Sequence, residues 1–146
     1  MAHSFDDINT VAVIGAGVMG AGIAAHFANA GCQVILLDMA SEGPDPARLA
    51  RDAVARQLKT GGFMHPALAA KIRVGTIADD LVLAAEADWI VEAIVELPEV
   101  KRDLYQRLAP MMKAGAVLSS NTSTIPLATL VEDRRASCRE RVSSPV

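Results

Sequence analysis

The chain has 146 residues, a formal net charge of −3, 51% apolar residues and only 3% aromatic ones. A chain of that length makes about one domain and buries roughly 68–70% of its unfolded surface. An apolar fraction dominated by Ala, Val, Leu and Ile suits helices layered on a buried parallel sheet. Basic residues are scattered up to the last positions of the chain, which leaves no electrostatic footprint for nucleic acid. No apolar run approaches the roughly 18 residues of a membrane span, and the polar start with Asp6 and Asp7 is unlike a secretory signal. Cys32 and Cys138 form no CxxC or metal-ligand spacing, so no metal site is expected and Cys32 reads as a small buried side chain. These features predict a soluble, cytoplasmic protein.

Thr10 to Ile14 is a β-branched apolar run halted by Gly15, the pattern of a strand buried on both faces. Val18 to Ala30 has helical composition with Gly31 as its stop, and Gln33 to Leu37 is a second strand ended by Asp38. Ser41 to Pro46 is a loop. Ala47 to Lys59 predicts a helix with Leu49, Ala53 and Leu58 inward, broken by Thr60, Gly61 and Gly62. A short helix over Pro66 to Ile72, a strand over Arg73 to Ile77 and a helix opened by Asp79 and Asp80 follow. Trp89 to Ala93 is the next buried strand, Pro98 opens a helix whose inner positions are Val100, Leu104, Tyr105 and Leu108, and Ala116 to Ser120 is one more strand. A polar turn, Asn121 to Thr124, and a helix start near Pro126 complete the alternation. Strands alternating with helices imply right-handed crossovers and a doubly wound parallel α/β sheet of the Rossmann type.

Gly15-Ala16-Gly17-Val18-Met19-Gly20 fits G-x-G-x-x-G between a strand and a helix. In that setting Gly15 makes the tight turn, Gly17 lets backbone approach a pyrophosphate, and Gly20 lets the helix pack on the strand. The helix N-terminus near Val18 offers free N–H groups to the phosphates. Asp38, at the end of the second strand, can bind two ribose hydroxyls and would repel a 2′-phosphate; Met39, Ala40 and Ser41 follow it without an arginine, so NAD is expected rather than NADP. The alternative is a strand-end aspartate that caps a loop. Further on, Val91 to Glu96 (VEAIVE) and Ser119 to Thr124 leave their strands at the ends where open α/β sheets bind ligands. Taken alone, Glu92 reads equally as a solvated loop acid, and the Ser/Thr/Asn cluster as a helix cap.

Gly15 to Ala24 (GAGVMGAGIA), VEAIVE and Ser120 to Pro126 (SNTSTIP), in this order and spacing, resemble the NAD-binding domain of 3-hydroxyacyl-CoA dehydrogenase over about Asn9 to Val131, the last motif in its bacterial multifunctional β-oxidation form. The resemblance implies that Met19 and Asp38 contact the adenosine side of NAD. It implies that Glu96 and Lys101 line the nicotinamide-side path and that Ala93, Ile94 and Val95 also bind the cofactor. Ser123 would reach both the nicotinamide ribose and the substrate, with Asn121 holding that turn or the substrate. The implied substrate is a 3-hydroxyacyl-CoA, oxidised as its hydroxyl proton passes to a histidine. The family's HFFNP-like segment, expected about twenty residues after Ser123, is missing, and His3, His26 and His65 do not replace it. The helical C-terminal domain that shapes the acyl pocket and dimerises is missing too, so the expectation is a fragment that binds NAD without turnover. Another hydroxyacid dehydrogenase and a non-catalytic NAD-binding module remain as alternatives.

After Val131 the composition shifts to Glu132-Asp133-Arg134-Arg135-Ala136-Ser137-Cys138-Arg139-Glu140-Arg141. Residues 133–142 resemble a translated sequencing-library adapter. Residues 1–131 are therefore expected to form the domain and 132–146 a poorly ordered tail outside it.

Overall fold

The computed structural model describes residues 4–123, residue 125 and the backbone of 142–143. Six parallel strands, β1 (Thr10–Ile14), β2 (Gln33–Asp38), β3 (Ile72–Thr76), β4 (Trp89–Glu92), β5 (Val117–Ser120) and β6 (Val142–Ser143), lie in the order β3-β2-β1-β4-β5-β6. Chain order reverses between β1 and β4, so the loops leaving their C-terminal ends diverge and open a crevice there. Ile14 pairs with Leu37 on one side and with Glu92 on the other, and Glu92 pairs with Ser120, which brings the four loops that leave these strands to one rim.

Strand residues alternate between two cores. Val11, Val13, Val34, Leu36 and Val91 face α1 (Val18–Asn29) and α2 (Arg48–Lys59). Ala12, Ile14, Ile35, Leu37, Ile90 and Leu118 face a 3-10 segment, Leu81–Glu86, and α4 (Pro98–Leu108). Both faces of the sheet are thus buried, which is why these strands read as apolar runs instead of alternating ones. In α1 the inward residues are Ala21, Ala24, Ala25 and Ala28, small enough for the helix to lie close on the sheet and against Ala50 and Ala53 of α2.

Several sequence expectations shift. Leu49 and Leu58 are exposed, because Ala50 and Ala53 set the inward phase of α2. Val100 is exposed as well, since the inner stripe of α4 runs through Lys101, Leu104, Tyr105 and Leu108. The helix placed at Asp79 opens earlier, as α3 (Ile77–Asp80). Its N-cap is Thr76, whose hydroxyl accepts from Asp79 N at 3.1 Å while Asp80 Oδ2 accepts from Thr76 N at 2.8 Å, a reciprocal cap. Cys32 is only half-buried, and burial pushes its thiol pKa up.

The tail expected outside the domain contributes one element. The backbone of Val142–Ser143 pairs with β5 in the register Leu118↔Val142 and Ser119↔Ser143. An open sheet edge offers backbone donors and acceptors to any extended segment whatever its side chains, so composition does not forecast this pairing. The other residues of 132–146, and the helix start near Pro126, lie outside the described residues.

At the opposite rim Asp88 ties the sheet to its flanks. Its Oδ2 accepts from Asn9 N and Thr10 N, both at 2.9 Å, and its Oδ1 pairs with Lys113. Burial pushes the Asp88 carboxyl up, but these donors outweigh it and hold the pKa below the usual carboxylate value.

Candidate functional site

Two of the three motif glycines are required by the protein itself. Gly15 closes β1 with φ +108°, and a Cβ there would press on the backbone of Ala93, whose carbonyl carbon lies 2.7 Å away. The turn is pinned by Gly15 N donating to Leu37 O at 2.7 Å and Ala93 N donating to Ile14 O at 2.8 Å. A Cβ on Gly20 would overlap the Gly15 carbonyl oxygen. Gly17 is different: its φ is −68° and nothing lies within 4 Å of a Cβ built on it. Folding alone therefore gives no reason for glycine at 17. The space it leaves open lies against the N-terminus of α1, where the first N–H groups lack helical partners, no side chain caps them, and Val18 and Met19 are exposed. An open, N–H-lined cradle at the positive end of a helix fits a diphosphate.

Asp38 does the capping that one of its two sequence readings expected. Its Oδ2 accepts from Ala16 N at 2.8 Å and its Oδ1 from Met39 N at 2.7 Å, so it braces the glycine turn against the end of β2. A carboxylate oxygen carries two acceptor sites, so each still has one for a sugar hydroxyl. Beside it opens a mostly apolar groove of about 290 Å³ lined by Met39, Ala40, Ile77, Val100 and Leu104, suited to a flat heterocycle. Sequence spacing missed one neighbour: Arg56, from α2, reaches the Ala16 carbonyl at 3.5 Å.

On the other side of the crevice the structure overturns the reading of Glu92 as a solvated acid. It is fully buried at the end of β4. Its Oε1 accepts from Lys101 Nζ at 2.6 Å and Ile94 N at 2.9 Å, and its Oε2 from Tyr105 OH at 2.8 Å and Ser120 Oγ at 2.5 Å. Four donors on one carboxylate, one of them a buried ammonium, are what a charge needs away from water. Lys101 is likewise wholly buried, so it stands behind the rim and not on it, contrary to its expected place along the ligand path. Its ammonium also lies 3.6 Å from Glu96 Oε1. Glu96 keeps 46% of its side chain exposed and accepts from Thr122 Oγ1 at 2.6 Å. Ala93 and Ile94 are half-buried and Val95 is exposed along the same loop. Ser123 is exposed at the tip of the turn after β5, next to half-buried Asn121, whose N–H donates to Glu92 O at 2.8 Å.

The structure thus brings the glycine turn, Met19, Asp38, residues 93–96, Asn121 and Ser123 to the rim at the C-terminal strand ends, with Lys101 beneath it. Glu92 and Ser120, which lie in the motifs without an assigned role, and Tyr105, which lies outside them, are further functional candidates. Of the histidines among the described residues, His26 lines a groove of about 570 Å³ with Met19 and Asn121. His26 sits eight residues into α1, roughly 12 Å along its axis, and His65 caps the 3-10 turn Pro66–Lys71. Also among the described residues, no helix is long and apolar enough to cross a membrane.

The family described as 3-hydroxyacyl-CoA dehydrogenase, NAD binding domain, matches residues 10–142. A probable 3-hydroxyacyl-CoA dehydrogenase of Deinococcus radiodurans is 43% identical over 137 residues, covering 92% of this chain and 40% of its own length. A putative fatty acid oxidation complex trifunctional enzyme of Rickettsia prowazekii is 40% identical over 128 residues, 86% of this chain and 18% of the relative. The crystal structure of 3-hydroxybutyryl-CoA dehydrogenase from Escherichia coli superposes with a TM-score of 0.76 at 30% identity, over 94% of this chain and 29% of that one. The chain therefore spans less than half the length of these relatives. Its matched residues, its glycine turn with the open position at Gly17, and its strand order agree: the chain belongs to the NAD-binding domains of the 3-hydroxyacyl-CoA dehydrogenase family.

Proposed function

We propose that this domain holds NAD for the oxidation of (3S)-3-hydroxyacyl-CoA to 3-oxoacyl-CoA in fatty-acid β-oxidation, a reaction completed only in a longer protein. The observation that carries the cofactor half is the cradle at Gly17, open in the folded chain for no reason of folding, flanked by the carboxylate of Asp38. The relatives' names, with fatty acid oxidation among them, support the substrate class. Bound NAD supplies the hydride acceptor.

The α1 N–H groups bind and orient the diphosphate, Asp38 accepts from the adenosine ribose hydroxyls, and the groove beside Met39 takes the adenine. Residues 93–96 and the turn 121–123 would hold the nicotinamide half. Ser123 Oγ, exposed at that turn, can hold the substrate hydroxyl in line with the cofactor, a matter of alignment and not of proton removal. As hydride leaves C3, the hydroxyl proton must pass to a base. A neutral imidazole suits that role; His65 is tied up as the cap of a 3-10 turn, and His26 stands roughly 12 Å along α1 from its N-terminus.

On this reading the chain binds NAD but does not oxidise substrate alone. The test mixes the purified chain with NAD and (3S)-3-hydroxybutyryl-CoA and follows NADH absorbance. No NADH is expected from the chain alone, and turnover is expected when residues 10–123 replace the matching segment of a full-length relative. Steady turnover by the chain alone, or an inactive chimera that still binds NAD, would refute the reading.

A further inference from the structure

We propose that buried Glu92 is the positioning residue for the nicotinamide half of the site, locking the loops after β4 and β5 into one unit that presents Glu96 and Ser123. The proposal rests on the NAD reading above.

The hydrogen bonds have a direction in space. Among the described residues, the donors to the Glu92 carboxylate lie in these two loops or beside them. Ile94 N belongs to the first, Lys101 and Tyr105 stand on α4 immediately after it, and Ser120 opens the second. From Ser120 the connection continues outward: Thr122 N donates to Ser120 Oγ at 3.1 Å, and Thr122 Oγ1 donates to Glu96 Oε2. The path closes on itself, because Glu96 lies within 3.6 Å of the Lys101 ammonium that Glu92 holds. Glu96 is the exposed member of this ring, exposed Ser123 follows Thr122 directly in the chain, and the charged centre is fully buried.

The adenosine half of the rim is braced by other hydrogen bonds, although α4, which carries Lys101 and Tyr105, also lends Val100 and Leu104 to the groove beside Met39. Asp38 is braced by Ala16 and Met39, and Gly15 by Leu37, with no side chain of the Glu92 ring among these contacts; the loop after β4 touches the turn through backbone alone, Ala93 N donating to Ile14 O. A buried ion pair is a poor source of stability compared with apolar residues of the same volume, whereas it does fix a unique geometry. Here the geometry it fixes is that of two loops which must face one ligand from different strands.

The two halves of the dinucleotide therefore separate the roles. Tyr105→Phe and Ser120→Ala each remove one hydroxyl from Glu92 while keeping the Glu92–Lys101 pair, so the variants should fold. Affinities for NAD and for ADP, which carries only the adenosine half and its diphosphate, are measured by calorimetry on the 146-residue chain, with thermal melts as a folding control. The expected result is that wild type binds NAD more tightly than ADP, and that each variant loses about tenfold in NAD affinity while its ADP affinity stays within about twofold. Unchanged NAD affinity, or equal losses for NAD and ADP in cooperatively folded variants, overturns the positioning role and leaves the NAD site standing. A wild-type chain that binds neither ligand overturns the NAD reading and this proposal with it.

Discussion

Gly17→Ala separates the needs of folding from those of the ligand. With φ −68°, ψ −170° and nothing within 4 Å of the added methyl, alanine meets no clash in the folded chain. Two small effects oppose each other. Restricting the unfolded chain stabilises by about 0.4–1 kcal/mol, and replacing glycine at a helix N-cap costs a similar amount, since alanine is a poor cap. The net change in stability should lie within about 0.5 kcal/mol, or roughly 2 °C in melting temperature. The methyl instead occupies the space where a pyrophosphate would approach the backbone, so NAD affinity should fall at least about tenfold, or 1.4 kcal/mol. Gly20→Ala is the contrast. Its methyl overlaps the Gly15 carbonyl, and overpacking against backbone that cannot yield costs roughly 1–3 kcal/mol, partly offset by about 1 kcal/mol of helix propensity. Thermal denaturation and NAD calorimetry on both variants decide the matter. A Gly17→Ala chain that melts like wild type and binds NAD as well as wild type would refute the argument that this position is kept open for the ligand.

Asp38→Ser should lower NAD affinity by about tenfold or more, through loss of charge-assisted bonds to ribose, and should narrow the gap between NAD and NADP; an unchanged NAD/NADP ratio by calorimetry would count against Asp38 as the selector. Lys101→Met strands the Glu92 carboxylate in the core, and urea denaturation should show a loss of about 3–5 kcal/mol, while a loss below about 1 kcal/mol would mean the pair is dispensable. Asp88 titrates below its ordinary value in the folded chain, so its contribution is present in full above the unfolded carboxylate pKa of about 3.9 and is lost as pH falls through the lower folded value. The stability gap between wild type and Asp88→Asn should therefore hold from neutral pH to about pH 4 and close below it; a gap constant into strong acid would contradict the assignment.

The sheet and the glycine turn were legible because each depends on local spacing: a buried strand, three glycines at fixed offsets, and an acid at the end of the next strand. Asp38 was legible as a strand-end cap, but its bond to Ala16 N crosses 22 residues and only folding brings those partners together. The role of Glu92 was hidden because its partners come from β5 and α4. A signal was nonetheless present: Lys101 keeps phase with Leu104, Tyr105 and Leu108, and a lysine on the apolar stripe of a helix needs a buried acid to meet it. Val100 read as an inner position because it was counted with Leu104, whereas the stripe begins one residue later. Arg56 reaches the turn from α2 across 40 residues, beyond the reach of any local pattern.

The most direct test of the central claim is a side-by-side calorimetric titration of the 146-residue chain with NAD and NADP. Saturable binding of one NAD per chain, with NADP weaker by about tenfold or more, is the predicted result. No binding of NAD, or NADP bound as tightly as NAD, would contradict it.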